Sequence, residues 1–458
     1  VPLAKRAWPF ALALLLPACG SYTQSALEVR GPLASGDFAA AQAFLEKEKP
    51  GGEGLPYLME VGLVLRYRGE YALSNETFER AERLIDELFT KSISREALAL
   101  LTSDETIPYD GEMWERVLIH YYRALNYVDL GQFDEALVEC RKVNHRLEVW
   151  VNSSDRAPTY RTDAFAQYMT AILYEASGEL NDAWVSLRLA DEAYDLYVDA
   201  YGVARPASMI ADLLRLATDQ GDEATLGQVR ERYPEAEARD TRELLERGEI
   251  VLFYEEGFIP AKAQQTITIP ILKDEWSDDH AALASTLESR AHQNYAYQTK
   301  ELEYLLRVAL PVFPPPDPRE GAGWAELRTG AAGARTELAE DLNAIARRGL
   351  EDRMGGILFK TILRGLTKYA LTRGAEKELG EGGGFLANLF TAATEKADTR
   401  SWITLPRTIQ VGRLVVDPGV HDLEVSCYGP GGELLETVVF EDVEVGAGEV
   451  RILSHRVF

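Results

Sequence analysis

Two rhythms of hydrophobic and polar positions divide the chain. Up to about residue 246 the apolar positions recur at helical spacing. After it, short β-branched runs alternate with turn residues and with further helical stretches. The first rhythm is punctuated by a glycine, an aromatic two residues on and a small residue three later. It reads Gly36-Asp37-Phe38 with Ala41, Gly69-Glu70-Tyr71 with Ser74, and Gly131-Gln132-Phe133 with Ala136. In Gly178-Glu179-Leu180 with Ala183, a leucine takes the aromatic's place. An apolar residue follows each of the later small residues by four (Phe78, Cys140, Leu187), then Ala81, Val143 and Ala190 three further on. Gly62, Ala124 and Ala171 stand seven before the glycine. The pattern predicts helix-turn-helix units. Glycine supplies the positive φ that ends the first helix, and the small residues let the second approach it. A weaker fifth unit surrounds Gly221 and closes at Pro234.

This pattern resembles the tetratricopeptide repeat, whose period is about 34 residues. Gly36 and Gly69 are 33 apart, and the wider later gaps leave room for degenerate or inserted helices. The resemblance implies a concave groove that grips a peptide or protein segment. Its candidate partner-binding positions are Tyr121, Leu125, Tyr168 and Ile172, which lack the Lys, Arg and Asn of a carboxylate clamp. Two occupants remain open for these apolar positions: a partner peptide, or another part of the same chain.

The second rhythm begins at Glu249. Ile250 to Tyr254 and Thr266 to Ile271 read as strands. So do Thr408 to Val416, Val420 to Tyr428, Glu436 to Phe440 and Glu449 to Val457, parted by Asp417-Pro418-Gly419, Pro430-Gly431-Gly432 and Gly446-Ala447-Gly448. These predict a small antiparallel β-sandwich at residues 401–458, which the strands of 247–275 join. Between them, 276–400 reads as helical, from about Asp279 to Ala309 and from Trp324 to about Arg373, with a proline-rich linker at 311–318. Within it, Arg353 to Arg373 holds five basic residues and no acid. Lys360, Arg364 and Lys368 at i, i+4, i+8 form a candidate basic surface stripe for anionic lipid or an acidic partner; the alternative is pairing with the chain's own acids. The expected fold is mainly α: tetratricopeptide-like repeats over 19–246, a helical region, then the β module.

Composition narrows the chemistry. With 74 acidic against 48 basic residues the formal charge is −26, opposite to what phosphate neutralisation needs, so nucleic acid is excluded as a partner. Three cysteines and six scattered histidines show no metal-ligand spacing, and no metal or cofactor is expected. Gly380 to Gly384 lacks the Lys-Ser/Thr of a phosphate loop. His120 and Glu115 read as packed helix residues, so no catalytic residue is assigned and the chain is expected not to be an enzyme. Cys140 and Cys427 read as buried free thiols. Asp398 and Arg400, at the junction before the β module, read as a structural ion pair.

The amino terminus carries a different message. Lys5 and Arg6 precede an apolar run from Ala7 to Leu16, about half the length that spans a bilayer, then Leu16-Pro17-Ala18-Cys19. This resembles a bacterial lipobox. It implies a signal peptide over 1–18 and lipidation of Cys19 with diacylglycerol and a further acyl chain such as palmitate. Ser21 is not the aspartate of inner-membrane retention, which favours the periplasmic face of the outer membrane. The segments Tyr109-Asp110-Gly111-Glu112, His120-Tyr121-Tyr122 and Ala124-Leu125-Asn126-Tyr127, with the junction Ala397 to Pro406, resemble a family of bacterial tetratricopeptide-repeat-containing lipoproteins. That family brings no activity with it. The expected function is a non-enzymatic, lipid-anchored scaffold or adaptor for an envelope protein or peptide. The alternatives are an enzyme acting on peptidoglycan or glycan, and a structural part of an export machine.

Overall fold

The five glycines that punctuate the first half each end a helix. A computed structural model describes residues 26–49, 52–90, 107–152, 158–272, 277, 279–291, 302–316, 321–379 and 396–458. Gly36, Gly69, Gly131, Gly178 and Gly221 all have φ between 66° and 78°. In every case the next residue donates its amide to the carbonyl five positions back, as Glu70 does to Leu65 and Glu179 to Tyr174. The glycines join α1 (Arg30–Ala34) to α2 (Phe38–Glu48), α3 (Leu55–Tyr67) to α4 (Tyr71–Thr90), α5 (Met113–Asp129) to α6 (Phe133–Asn152), α7 (Ala164–Ala176) to α8 (Leu180–Tyr201) and α9 (Ala207–Asp219) to α10 (Glu223–Arg232). The small positions are what let each pair close. Ala124, Ala136, Ala171 and Ala183 are fully buried. A Cβ added at Gly62 would stand 2.6 Å from the Phe78 ring.

After α11 (Thr241–Glu246) the chain enters β1 (Gly248–Glu256), whose nine residues are all buried. Such a strand cannot alternate, because both faces are covered, and so Ile250 to Tyr254 is an unbroken apolar run. One four-stranded sheet has the order β10 (Val450–Val457), β1, β7 (Thr408–Val416), β6 (Glu337–Asp341); the other runs β5 (Ala332–Arg335), β4 (Trp324–Thr329), β8 (Gly419–Tyr428), β9 (Leu434–Val445). Ile250, Leu252 and Tyr254 meet Leu327, Leu423 and Val425 in the core between the sheets. Val251 and Phe253, on the opposite face of β1, join the core of the repeats. The sandwich is mixed and not purely antiparallel, because β1 runs parallel to β10.

The region 276–400 departs from its helical expectation. Its first helix, α12, spans only His280–Ala291, and Leu302–Val312 is a strand, β3, paired with β2 (Ala263–Leu272) along its length. The leucine spacing of 302–312 suits a helix, but the partner strand decides. Strands β4 to β6 likewise occupy a stretch rich in Ala, Glu, Leu and Arg, which pairs with β7 and β8. A turn at Gly330, φ 55°, starts their hairpin. Thus β1 joins the late strands, whereas β2 and β3 form a ribbon of their own.

Helix α13 (Leu342–Leu379) packs under that ribbon through Leu358, Ile362 and Leu366. Gly365 brings Leu306 so close that an added Cβ would lie 2.4 Å from its Cδ1. The helix sinks into the ribbon and takes Arg364 with it, leaving it 1% exposed. Lys360 is exposed and Lys368 half-buried. The basic surface stripe of Lys360, Arg364 and Lys368 is therefore corrected: its middle member is inside. No helix among the described residues is long and apolar enough to cross a membrane.

Candidate functional site

The concave face of the repeats is not open. Tyr121, Leu125, Tyr168 and Ile172 are 4%, 2%, 0% and 0% exposed. Tyr121 meets Phe253 of β1 edge-on at 6.5 Å and donates to Glu255 Oε1 at 3.1 Å. Tyr168 reaches Ser208 Oγ at 3.2 Å. Of the two occupants left open, the chain's own β module meets Tyr121 through β1 and Tyr168 through Arg413 of β7, and all four positions are buried within the chain.

The first repeats hold a strap, residues 397–405, in the manner of an extended peptide. Trp402 is fully buried against Phe78 and Tyr122, each ring 5.7 Å away. Its amide donates to Glu115 Oε1 at 2.7 Å, and that of Ile403 to Glu60 Oε1 at 3.0 Å. The Thr404 hydroxyl donates to the other Glu60 oxygen. Arg30 closes the set by donating to the Ile403 carbonyl from Nε at 3.0 Å and to that of Ile259 at 2.6 Å. Helices α3 and α5 and the start of α1 thus read the backbone of the strap. The carboxylates are short of cations: burial, less the hydrogen bonds from Thr404 and Ile403, pushes Glu60 up to about 7. Burial and the neighbouring Glu112 push Glu115 up to about 7. Burial lowers Arg30 to about 10.

The last repeats use ions instead. Arg413, from the centre of β7, donates to Asp212 at 2.5 Å, Glu249 at 2.6 Å and Glu175 at 3.0 Å. Arg215 pairs with Glu175 and Asp212, and Arg239 with Asp212 and Glu249. Burial alone would lower Arg413, but the three carboxylates outweigh it and hold the guanidinium well above its usual range. A third polar contact joins the repeats to β10: Arg66 of α3 reaches Asn126 Oδ1 at 2.8 Å, Asp129 at 2.9 Å and Ser454 Oγ at 2.8 Å.

Beside the strap lies an open cleft of about 250 Å³, lined by 107–112, Lys262, α13 and the start of the strap. Glu112 sits between Lys262 Nζ at 2.6 Å and Arg353 at 2.5 Å. Burial opposes its ionisation, but the two cations prevail and hold it well below the usual range. Lys262 also donates to the Arg400 carbonyl at 3.2 Å. Asp398 and Arg400 pair at 2.8 Å, as expected, and Arg400 lies 5.3 Å from the Tyr109 ring. Exposed Lys360 lines the same cleft. Glu60 and Glu115, whose affinity for protons is raised, do not line it. They face backbone amides.

Cys19 and residues 1–18 lie outside the described residues, as do Gly380 to Gly384. His120 pairs with Glu139 at 2.8 Å inside the repeats. Arg413, Asp212, Glu175, Glu249 and Glu60 were not anticipated. For Glu60 and Arg413 the signal is a charge set inside an apolar run, in Leu58-Met59-Glu60-Val61-Gly62-Leu63 and Val411-Gly412-Arg413-Leu414-Val415.

No family model and no curated protein matches the chain. Solved structures with detectable likeness include MamA, residue 41 to the end, from Desulfovibrio magneticus RS-1, at 14% identity and a TM-score of 0.29 over 48% of this chain and 97% of that one. A putative kinesin light chain with nearly identical tetratricopeptide-like repeats, from Podosopora anserina, is 17% identical with a TM-score of 0.28, covering 46% and 91%. A tetratricopeptide repeat protein from Parabacteroides merdae is 15% identical with a TM-score of 0.19, covering 49% and 83%. Likeness at this level carries no argument about partner or activity. The helical repeats of this chain stand on their own glycine turns and buried small positions.

Proposed function

We propose that the protein is a non-enzymatic scaffold of the bacterial envelope, anchored by lipid on Cys19 to the periplasmic face of the outer membrane, that docks an envelope protein or peptide. One observation carries the scaffold reading. The repeat face is equipped to hold extended backbone, through Glu60, Glu115 and Arg30, and a tryptophan, between Phe78 and Tyr122. This is the chemistry of peptide recognition, with the chain's own strap as the peptide. Holding that strap fixes the β module on the repeats as one unit, and the partner meets the cleft beside the strap, where Arg353, Lys360, Asp398 and Arg400 offer both charges.

The lipobox supports the anchor. Replacing Cys19→Ala is expected to move the protein from the membrane to the soluble fraction; unchanged fractionation would remove the anchor from this reading. Crosslinking in the native envelope is expected to join Lys360 to one recurrent envelope protein. Charge reversal at Arg400, which keeps the Lys360 amine available, should abolish that product. Its persistence would shift docking to another surface.

A further inference from the structure

Outside the repeat face, three metal-binding side chains from three strands converge at the open edge of the sandwich. Cys427 (β8), Glu436 (β9) and His455 (β10) each place one ligand atom within 4.8 Å of the other two. The arrangement is written into the strand register. Cys427 pairs directly with Glu436 across β8 and β9, and His455 pairs with Tyr254 across β10 and β1. The two sheets therefore contribute to one point. His455 Nε2 lies 2.5 Å from Glu436 Oε1. Cys427 is fully buried, whereas the side chains of His455 and Glu436 are 19% and 44% exposed, so the cluster has an inner wall and a solvent side.

A second cluster of the same kind shows what distinguishes this one. Glu82, His120 and Glu139 also converge, but Arg123, Lys142 and Arg146 already neutralise them, at 2.6 to 3.4 Å. Those carboxylates have their cations. Around Cys427 the charges acting on the thiol are the carboxylates of Glu436 and Glu256; among the described residues Glu256 pairs with Arg407 at 2.7 Å, whereas Glu436 meets the imidazole of His455. The Tyr254 hydroxyl is buried against the same sulfur with no hydrogen-bond partner of good geometry.

We infer that Cys427, Glu436 and His455 form a binding site for a divalent metal ion of the zinc class. Thiolate, imidazole and carboxylate together suit a borderline ion and not Mg²⁺ or Ca²⁺, which take oxygen alone. Tetrahedral ligands at zinc distances lie ~3.4 Å apart. The His455–Glu436 contact reaches this by opening under ~1 Å, a small movement for two side chains on the solvent edge, and the same movement carries them toward the Cys427 sulfur, which lies within 4.8 Å of both. On binding, the Cys427 proton leaves to solvent and the sulfur–metal bond forms, with no change of oxidation state. Water fills the fourth position. The three ligands lie 9 and 19 residues apart on separate strands, which explains why no ligand spacing is visible in the sequence.

The test titrates the full chain with Zn²⁺ by calorimetry and with Co²⁺ by absorption, which reports a thiolate ligand as a near-ultraviolet charge-transfer band. One equivalent of each metal should bind, with that band. Cys427→Ser should abolish the band, while Cys140→Ser and Cys19→Ser keep it. Glu436→Gln and His455→Gln should each weaken Zn²⁺ binding by more than ~10-fold, since even an outer partner of a ligand commands that much. Absence of the band, or its survival in Cys427→Ser, overturns the site. If Cys427→Ser fails to fold, the two solvent-edge variants decide: unchanged Zn²⁺ affinity in both overturns it.

Discussion

Where β7 crosses the last repeats, Arg413 gathers three carboxylates; where the strap crosses the first repeats, Glu60 and Glu115 gather backbone amides. Both contacts are buried, and both join the repeats to the carboxy-terminal half of the chain. They differ in compensation. At the Arg413 end, Glu175, Asp212 and Glu249 face Arg215, Arg239 and Arg413, three charges against three. Against burial, the arginines draw Asp212 below its usual range, while burial leaves Glu175 above it. At the strap end an amide supplies a partial charge only, and Glu60 and Glu115 both rise to about 7. Equal burial therefore produces one contact whose carboxylates face cations in place and one whose carboxylates titrate near neutrality.

The sharpest way to break this contrast is to remove the central cation. Arg413→Met leaves three buried carboxylates sharing two arginines and should cost ~3–5 kcal/mol, read from urea unfolding. Lysine at the same position should recover part of the loss, because it keeps the charge but not the planar fork that reaches three partners. A cost below ~1 kcal/mol for the methionine variant would mean that the carboxylates simply protonate, and that the two ends behave alike.

The strap end makes the next largest prediction. Glu60 has a folded value of about 7 against an ordinary 4.5, so the folded state holds its proton more tightly than the unfolded chain. Its contribution is fully present below about pH 4.5 and is lost as pH rises through about 7, a fall of about 3 kcal/mol. Glu60→Gln keeps an oxygen for the Ile403 amide and an amide group for Thr404, and cannot ionise. It should flatten this part of the stability–pH profile while leaving the Arg413 end unchanged. A profile as steep as that of the parent would place the titration elsewhere, on Glu115 first.

Legibility in the sequence divides in the same way, between local and distant causes. The hairpins were readable because a glycine turn and its small neighbours are local: Gly131, Ala124 and Ala136 decide one helix pair among themselves. Strands β3 to β6 were not, since Leu302–Val312 and Trp324–Asp341 carry helix-forming residues and become strands only beside β2, β7 and β8. Arg364 looked exposed because spacing shows which residues share a face but not that Gly365 sinks the helix against Leu306. The four groove positions, read as candidates for partner binding, are buried in the folded chain. What covers Tyr121, β1, lies over a hundred residues away from it. The strap was marked in sequence by Trp402 among charges and hydroxyls, yet its receptors Glu60 and Glu115 looked like ordinary helix residues.

A steric variant separates packing from charge at the strap. Gly62→Ala would press a methyl group into Phe78, whose ring meets Trp402, and should cost ~1–3 kcal/mol through overpacking. Because no ionisable group changes, the loss should be the same on both sides of pH 7, unlike the Glu60 effect. A loss that grows with pH would show that Phe78 also controls the burial of Glu60.

The smallest effect belongs to the entrance of the strap. Asp398 and Arg400 pair at 2.8 Å, and Asp398 also accepts the Arg400 amide at 3.1 Å, but the two side chains remain 27% and 14% exposed. Water and salt already compensate such a pair, so Asp398→Ala should cost under ~1 kcal/mol, and less at high ionic strength. Unfolding in low and high salt measures it. The prediction is informative because Asp398 lies only four residues before Trp402, on the same segment that Glu115 and Glu60 hold. If the strap is fixed by its buried end, its entrance can lose an ion pair at little cost. A loss comparable to that of Glu60 at alkaline pH would reverse the order and make the cleft-side ion pair the fastening, with the buried carboxylates merely tolerated behind it.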